Sequence, residues 1–538
     1  MARDPIVTAF EDRLRAFGDE IVVTGPGHRA TRCDIDALAR SLEGHFPGPA
    51  ALPPGSLVGL AVADGPGFLA ALLALRRARC AAILFDAKGR PEDHREICGR
   101  LGGRWMFASR EAWPASRNAF RWTAVEPPAP SSPGASPVPS QVPETVAVLK
   151  LTSGSTGAPR GILTPSGALL ADDRALAATM GLGPEERILA AIPFSHSYGL
   201  SSVAIPALTR GNRLILPEEG NPFSLLKTGH WGEATFLPTV PAYLQALVKM
   251  SSPPAWPPSL RLVISAGAPL RPDTAEAFRH RFGQGVHVFY GSSETGGITY
   301  DRLGDAAERG TLGTPVDGVS ISLDGGSQGL AERGPYASRE SPPRPPPLRG
   351  EGSAGGFLAS PVADGDAGTR GLRPPAEPVT QSSPSGLVVV SSAAVAEGYW
   401  PERARALGGG RFRTSDLATW QTSPRGEPEL CLLGRADDLI NVKGKKVRPR
   451  EIEAVLQELP GVDEAAVLGL AAPGGGQLIR AVLACDPGTL TKPQVLAHCR
   501  RLLPPYKVPR SLLLLPALPR TPRGKLDRRA LEELKGEG

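Results

Sequence analysis

The chain is poor in cysteine: six in 538 residues, Cys33, Cys80, Cys98, Cys431, Cys485 and Cys499. None forms a Cys-x-x-Cys pair or stands beside a histidine at metal-ligand spacing, which speaks against a disulfide framework and a structural zinc site and suits reduced thiols in the cytoplasm. No run of 18 apolar residues occurs, so no membrane span is expected, and the opening MARDPIVTAFEDRLRAFGDE lacks the apolar stretch of a secretory leader. Dense Lys/Arg runs with interleaved aromatics are missing as well. The net charge of +6 is a mild excess for this length, and no nucleic-acid partner is expected. A cytoplasmic protein, monomer or homodimer, is the expectation.

What is present is enough apolar sequence, 41%, for more than one globular core. Residues 1–50 are mixed and carry little pattern. From Leu57 the pattern sharpens: Leu57 to Val62 reads as a buried strand, Phe68 to Arg79 as a helix turning basic at its C-terminal end, and Ala81 to Phe85 as a second strand. That order is a parallel crossover unit. Further strands are expected at Arg187–Pro193, Arg213–Leu216, Leu262–Ser265 and Val286–Tyr290, which together describe a large α/β domain with parallel sheets. Residues 125–143 are rich in Pro and Ser and read as an exposed linker. Residues 325–385, with runs such as SPPRPPPLRG, read as a disordered insertion. From 434 onward a charged, Gly-containing stretch gives way to the alternation of a small α+β domain.

A different chemistry begins at Leu151. The strand-like run Val146–Leu151 spills into TSGSTGAPRG, where Gly154, Gly157 and Gly161 allow close backbone approach and positive φ, and Thr152, Ser153, Ser155 and Thr156 add hydroxyls. Successive N–H groups of such a loop form an anion nest, with Arg160 supplying fixed charge at its edge. The spacing is not that of a Walker loop. Taken alone, the stretch also fits an ordinary Gly/Ser surface loop.

Four other stretches carry candidate groups: His196 in IPFSHSYGL, Glu294 in YGSSETGG at a strand end, Asp416 in RTSDL, and Lys525 in LPRTPRGKLDRR. Singly, a core histidine, two capping carboxylates and a solvated lysine account for them equally well.

Together and in this order the five stretches resemble the adenylate-forming superfamily of acyl- and aryl-CoA synthetases, luciferases and peptide-synthetase adenylation domains, over about Gly55 to Arg529. The resemblance implies a large N-terminal adenylation domain (1–433) with parallel and mixed sheets and a distorted barrel, and a small mobile α+β C-terminal domain (434–538) hinged near Asp437. It implies that Thr152–Gly161 grips the β and γ phosphates of ATP, that Gly267-Ala268-Pro269 and Tyr290-Gly291-Ser292, with Ser293, border adenine and the acyl group, and that Glu294 binds Mg²⁺, a hard cation suited to carboxylate and phosphate oxygens. Asp416 would take the ribose hydroxyls with Arg435 nearby. Lys525 would span the substrate carboxylate and the α-phosphate. Attack of one anion on another needs positive charge where the transition state gathers negative charge, and Mg²⁺, Arg160 and Lys525 meet that need.

Several positions depart from the family pattern: Arg160 stands for the usual lysine, Ser293 for threonine, Ser415 for glycine, and Asn441 where many relatives have lysine. Amino-acid-activating relatives place an aspartate in the stretch PFSHSYG. Here His196 occupies the approximate position without a carboxylate, which disfavours a substrate ammonium; the PFSHSYG pattern resembles that of the coumarate, aryl and fatty acyl-CoA ligases, which implies an aryl or fatty acid. Thirteen residues, 526–538, follow Lys525, so no fused carrier domain is expected. Free coenzyme A is the simplest acceptor, with Lys443, Gly444, Lys445, Lys446 and Arg448 as the face that meets it; a separate carrier protein is the alternative acceptor, and a non-catalytic nucleotide-binding homologue a third possibility.

Overall fold

The computed structural model describes residues 3–48, 50–111, 113–114, 116–126, 138–153, 159–218, 222–227, 231–253, 255–325, 385–401, 407–442, 445–471, 477–486, 488–520 and 526–534. Its first sheet has seven strands. At its centre lie β1 (Leu57–Val62), β2 (Ala81–Leu84) and β3 (Val146–Ser153), all parallel, and β4 (Pro159–Pro165) returns antiparallel to β3. Every residue of β1 and β2 is buried, as in sheets covered on both faces. The expected crossover helix, α1, runs Pro66–Arg77, with Pro66 at its first position where a missing N–H costs nothing.

The basic end of α1 does more than complement a helix dipole. Arg76 is 1% exposed, donates to the Cys80, Glu144 and Val146 carbonyls at 2.7–2.8 Å, and pairs with Asp4 at 2.7 Å. Asp4 in turn caps the helix Pro5–Phe17 and accepts from Ser166 Oγ at the start of α2 (Ser166–Met180).

The second sheet has nine strands. Its parallel centre includes β5 (Phe236–Thr239), β6 (Leu262–Ser265) and β7 (His287–Ser292), after which β8 (Gly296–Tyr300) turns back antiparallel. The patternless first 50 residues prove ordered: two helices, Pro5–Phe17 and Arg32–Glu43, and two strands, Ile21–Gly25 and His28–Thr31, which form one edge of this sheet. The second helix opens on a Thr31/Asp34 capping box, a local signal that compensates for weak periodicity.

A third sheet joins Ser320–Asp324, β9 (Ser385–Ser391), Leu407–Gly408, β10 (Arg411–Thr422) and β11 (Pro428–Arg435), while the short strand Gly398–Trp400 crosses to β4. The expected barrel is absent among the described residues: Ser320–Asp324 at one end pairs with no strand at the other, and closure requires an unbroken ring of pairs.

The expected exposed linker 125–143 is corrected at both ends. Val125 and Val142 are each 6% exposed, and Val142 N–H donates to Gly55 O at 2.9 Å, because two apolar side chains in a Pro/Ser stretch suffice to draw its ends into the core; its middle, 127–137, lies outside the described residues. The insertion at 325–385 lies outside them as well, apart from its end residues.

The C-terminal part has its own sheet, Val462–Ala471, Gln477–Cys485 and Ser511–Leu515, under the helices Pro449–Gln457 and Lys492–Leu502. Ile452, Leu456, Ile479, Leu483 and Val495 form a core there, of the α+β type expected.

Candidate active site

β3 and β4 form a hairpin whose tip is the Ser/Thr/Gly stretch. Thr152 pairs with Arg160 and Leu151 with Gly161. Residues 154–158, the tip, lie outside the described residues, as do Lys443, Gly444 and Lys525, and nothing is placed for the side chain of Ser153. Gly161 departs from expectation: it is an extended strand residue without positive φ, and a Cβ there would stand 2.9 Å from Leu149 Cδ2.

Glu294 sits in the tight turn between β7 and β8, where Ser292 pairs with Gly296. The turn is braced from several directions. Glu294 N–H donates to Ser292 Oγ (3.2 Å), Glu294 O accepts from Ala396 N–H (2.8 Å), and Ser293 Oγ accepts from Ser197 Oγ (2.7 Å). Gly296, at φ +71°, has no room for a Cβ, which would stand 2.3 Å from Asp172 Oδ1. The Glu294 carboxylate accepts from the Tyr399 hydroxyl at 2.9 Å. Burial, with Glu294 next, raises the Tyr399 phenol well above its ordinary range, and the charges of Arg160 and Arg435 oppose that; Tyr399 pairs with Ile162, two residues past Arg160 on β4.

Tyr290, on β7, donates to Asp416 Oδ2 at 2.5 Å. Asp416 lies on β10 opposite Arg435 of β11; the Arg435 guanidinium stands 3.8 Å from Asp416 Oδ1 and donates to Ser415 Oγ at 2.6 Å. Burial, then Asp416, pushes the Tyr290 hydroxyl far up, so it stays a protonated donor. Arg450, from the helix Pro449–Gln457, reaches the Leu432 carbonyl at 3.3 Å and brings a further cation towards Asp416.

His196 is half-buried at the head of the short helical turn Ser197–Gly199, beside the serine that bonds Ser293. Gly267, Ala268 and Pro269 are exposed in the loop that follows β6, leaving the same sheet edge as Tyr290–Ser292. Gly291 is exposed, and the Ser292 and Thr295 hydroxyls share a hydrogen bond at 3.1 Å.

The described candidates therefore fall into one contiguous site with two ends. One holds Glu294, Ser293, Arg160 and Thr152; the other holds Tyr290, Asp416 and Arg435. No cluster of three or more metal-binding side chains exists among the described residues. A single carboxylate beside hydroxyls and a cation-edged hairpin fits a magnesium ion that keeps waters and takes its remaining ligands from phosphate oxygens.

Sequence reasoning missed Tyr399, Ser197, Asp64 and Lys150. Asp64 Oδ1 accepts from Phe194 N–H at 2.9 Å and so holds the start of the His196 segment. Lys150 carried a legible signal: it is the lone charge in the apolar strand Val146–Leu151.

Comparison with known proteins agrees with this geometry. A family model described as AMP-binding enzyme matches residues 10–335, and one described as AMP-binding enzyme C-terminal domain matches 451–525. The chain is 28% identical to a sulfoacetate–CoA ligase of Cupriavidus necator over 81% of this chain and 79% of that protein. It is 29% identical to a feruloyl-CoA synthase of an Amycolatopsis species, over 73% of this chain and 69% of the relative. Among solved structures, ATP-bound MatB of Rhodopseudomonas palustris superposes with a TM-score of 0.74 at 21% identity, covering 99% of both chains. The amide bond synthetase McbA of Marinactinospora thermotolerans superposes with 0.72 at 24% identity, covering 98% of this chain and 99% of that one. At these identities the two structures speak for the fold.

Proposed function

Because the chain belongs to the AMP-binding enzyme family, we propose that it activates a carboxylic acid of aryl or fatty type with ATP and passes the acyl group to coenzyme A. The observation that carries this reading is the joining of Glu294–Tyr399 and Tyr290–Asp416–Arg435 into one site beside the β3–β4 hairpin.

The substrate carboxylate oxygen attacks the α-phosphorus, the bond to the bridging oxygen breaks, and pyrophosphate leaves. Thr152, Ser153, Gly154, Ser155, Thr156, Gly157 and Arg160 grip the leaving phosphates; Glu294 would hold Mg²⁺, which would supply positive charge to neutralise them. Asp416 accepts from the ribose hydroxyls; an ionised carboxylate offers about four acceptor sites, so the Tyr290 bond leaves capacity over. Gly267–Pro269 and Tyr290–Ser293 border adenine and the acyl group, with His196 on the acyl side. Lys525 spans the acid and the α-phosphate. In the second half the coenzyme A thiolate attacks the acyl carbon and AMP departs. Residues 434–538 turn about Asp437 between the halves, withdrawing Lys525 and bringing in Lys443-Gly444. The ion pair of Arg528 with Asp438, at 2.6 Å, supports a coupling between the Lys525 neighbourhood and that hinge.

The names of the two curated relatives support coenzyme A as acceptor; the fold shared with McbA keeps an amine or a carrier-protein thiol as the competing acceptor. The test is a panel of aryl and short- to long-chain acids with ATP and Mg²⁺, read by pyrophosphate exchange and, with coenzyme A added, by the mass of the thioester. Exchange with an aryl or fatty acid and a matching acyl-CoA is the expected outcome. Exchange without thioester would replace the acceptor, and no exchange with any acid would overturn the reaction.

A further inference from the structure

β3 carries a charge where its pattern calls for an apolar side chain. Val146, Ala147, Val148 and Leu149 are fully buried, and Lys150 is 3% exposed. Its ammonium has three N–H donors, yet among the described residues it makes one hydrogen bond, to the Ser293 carbonyl at 3.4 Å, and no close ion pair. A buried ammonium so poorly satisfied is costly and calls for a compensating role.

The surroundings suggest one. Asp172 of α2, also 3% exposed, uses Oδ1 to accept from Gly297 N–H at 2.9 Å, while its Oδ2 meets no donor in bonding geometry. Burial depresses the pKa of Lys150, and the charges of Asp172 and then Glu294 oppose that depression. The lysine thus stands on the strand that runs into the Ser/Thr/Gly hairpin, with its ammonium on the carbonyl of Ser293, the residue before Glu294. A lysine that served only to neutralise Asp172 would pair with it directly; this one donates instead to the backbone of the Glu294 turn.

We propose that Lys150 is a resident counter-charge at the metal and phosphate end of the site, a positioning residue that holds the Ser293–Glu294 turn and shares the Glu294 carboxylate with the metal ion. The proposal rests on Glu294 as the metal-binding carboxylate of the reaction above. Two consequences have opposite signs. With Lys150 present, ATP without metal already feels the field of a buried protein cation, and Mg²⁺ must compete with that cation for Glu294. Without it, ATP alone gains less, and the metal binds more tightly.

The test uses the full chain, no acid, and thermal unfolding with ATP alone and with ATP plus increasing Mg²⁺. Lys150→Met leaves Asp172 uncompensated and can fail to fold, so Lys150→Met/Asp172→Asn, neutral at both positions, is the decisive variant. Expected are a stabilisation by ATP alone of about half the wild-type value and a half-saturating Mg²⁺ concentration about fivefold lower. Wild-type values for both in the folded double variant would reduce Lys150 to core filling and overturn the proposal. Glu294→Gln supplies the control: it should abolish the added stabilisation by Mg²⁺, and if that persists the premise falls. Since no acid is present, these readings are independent of whether acyl-CoA forms.

Discussion

Asp64 shows how one carboxyl can tie the His196 segment to pH. It stands just past β1 and accepts from the backbone of Phe194, two residues before His196. Burial, the largest influence, pushes its pKa up to about 7; the Phe194 N–H opposes this, and Asp86 adds to it. The unfolded chain ionises this group near its ordinary value of about 3.9. A folded pKa above the unfolded one means a contribution that is full below pH ~4 and is lost as the pH rises through about 7. Asp64→Asn keeps the acceptor and removes the titration. Chemical denaturation of both proteins at pH 5 and pH 8 should show the wild type losing on the order of 1 kcal/mol or more relative to the variant. Parallel losses would contradict this. Such a residue is hard to read in sequence, because Ala63-Asp64-Gly65 resembles any strand-to-helix turn and only burial gives the carboxyl its character. Glu294 and Asp416 were legible because short motifs surround them. Their partners Tyr399 and Tyr290 were not equally so: Tyr290 belonged to a motif, whereas Tyr399 arrives from a strand 105 residues away in sequence from Glu294.

At the scale of elements, the junction of Asp4, Arg76 and Ser166 joins the N-terminal helix, α1, α2 and the start of β3. Four segments distant in sequence converge on one buried ion pair. Removing one partner of such a pair strands the other. Arg76→Met should therefore cost roughly 3–5 kcal/mol in chemical denaturation, and adding Asp4→Asn should recover part of it. A loss below 1 kcal/mol, the level of a surface pair, would place the junction outside the stability of the fold. The β1, α1 and β2 unit was legible because its apolar residues recur at strand and helix periods over enough length. The first 50 residues were not, since their strands are short and one is half-exposed, so their order comes from pairing with a sheet whose other strands lie about 190 residues later.

For the whole molecule, the segment 326–384 separates two strands that the fold brings together. Ser320–Asp324 and Ser385–Ser391 pair antiparallel, with Asp324 opposite Leu387. Their facing ends can be joined by a short turn. Deleting residues 330–380 should leave thermal stability within a few degrees of wild type and pyrophosphate exchange within about twofold, since the loss of a long connection lowers closure entropy only slowly with length. Precipitation or loss of exchange would show that the segment contributes to the fold or the site. The family was written in local runs of residues, because a Ser/Thr/Gly hairpin and a carboxylate turn need particular side chains at short spacings. The openness of the third sheet, the contact of Tyr399 with Glu294, and the burial of Lys150 against the Glu294 turn were not. Each depends on which distant strands lie side by side, and that is settled by long-range packing and hydrogen bonding of the folded chain.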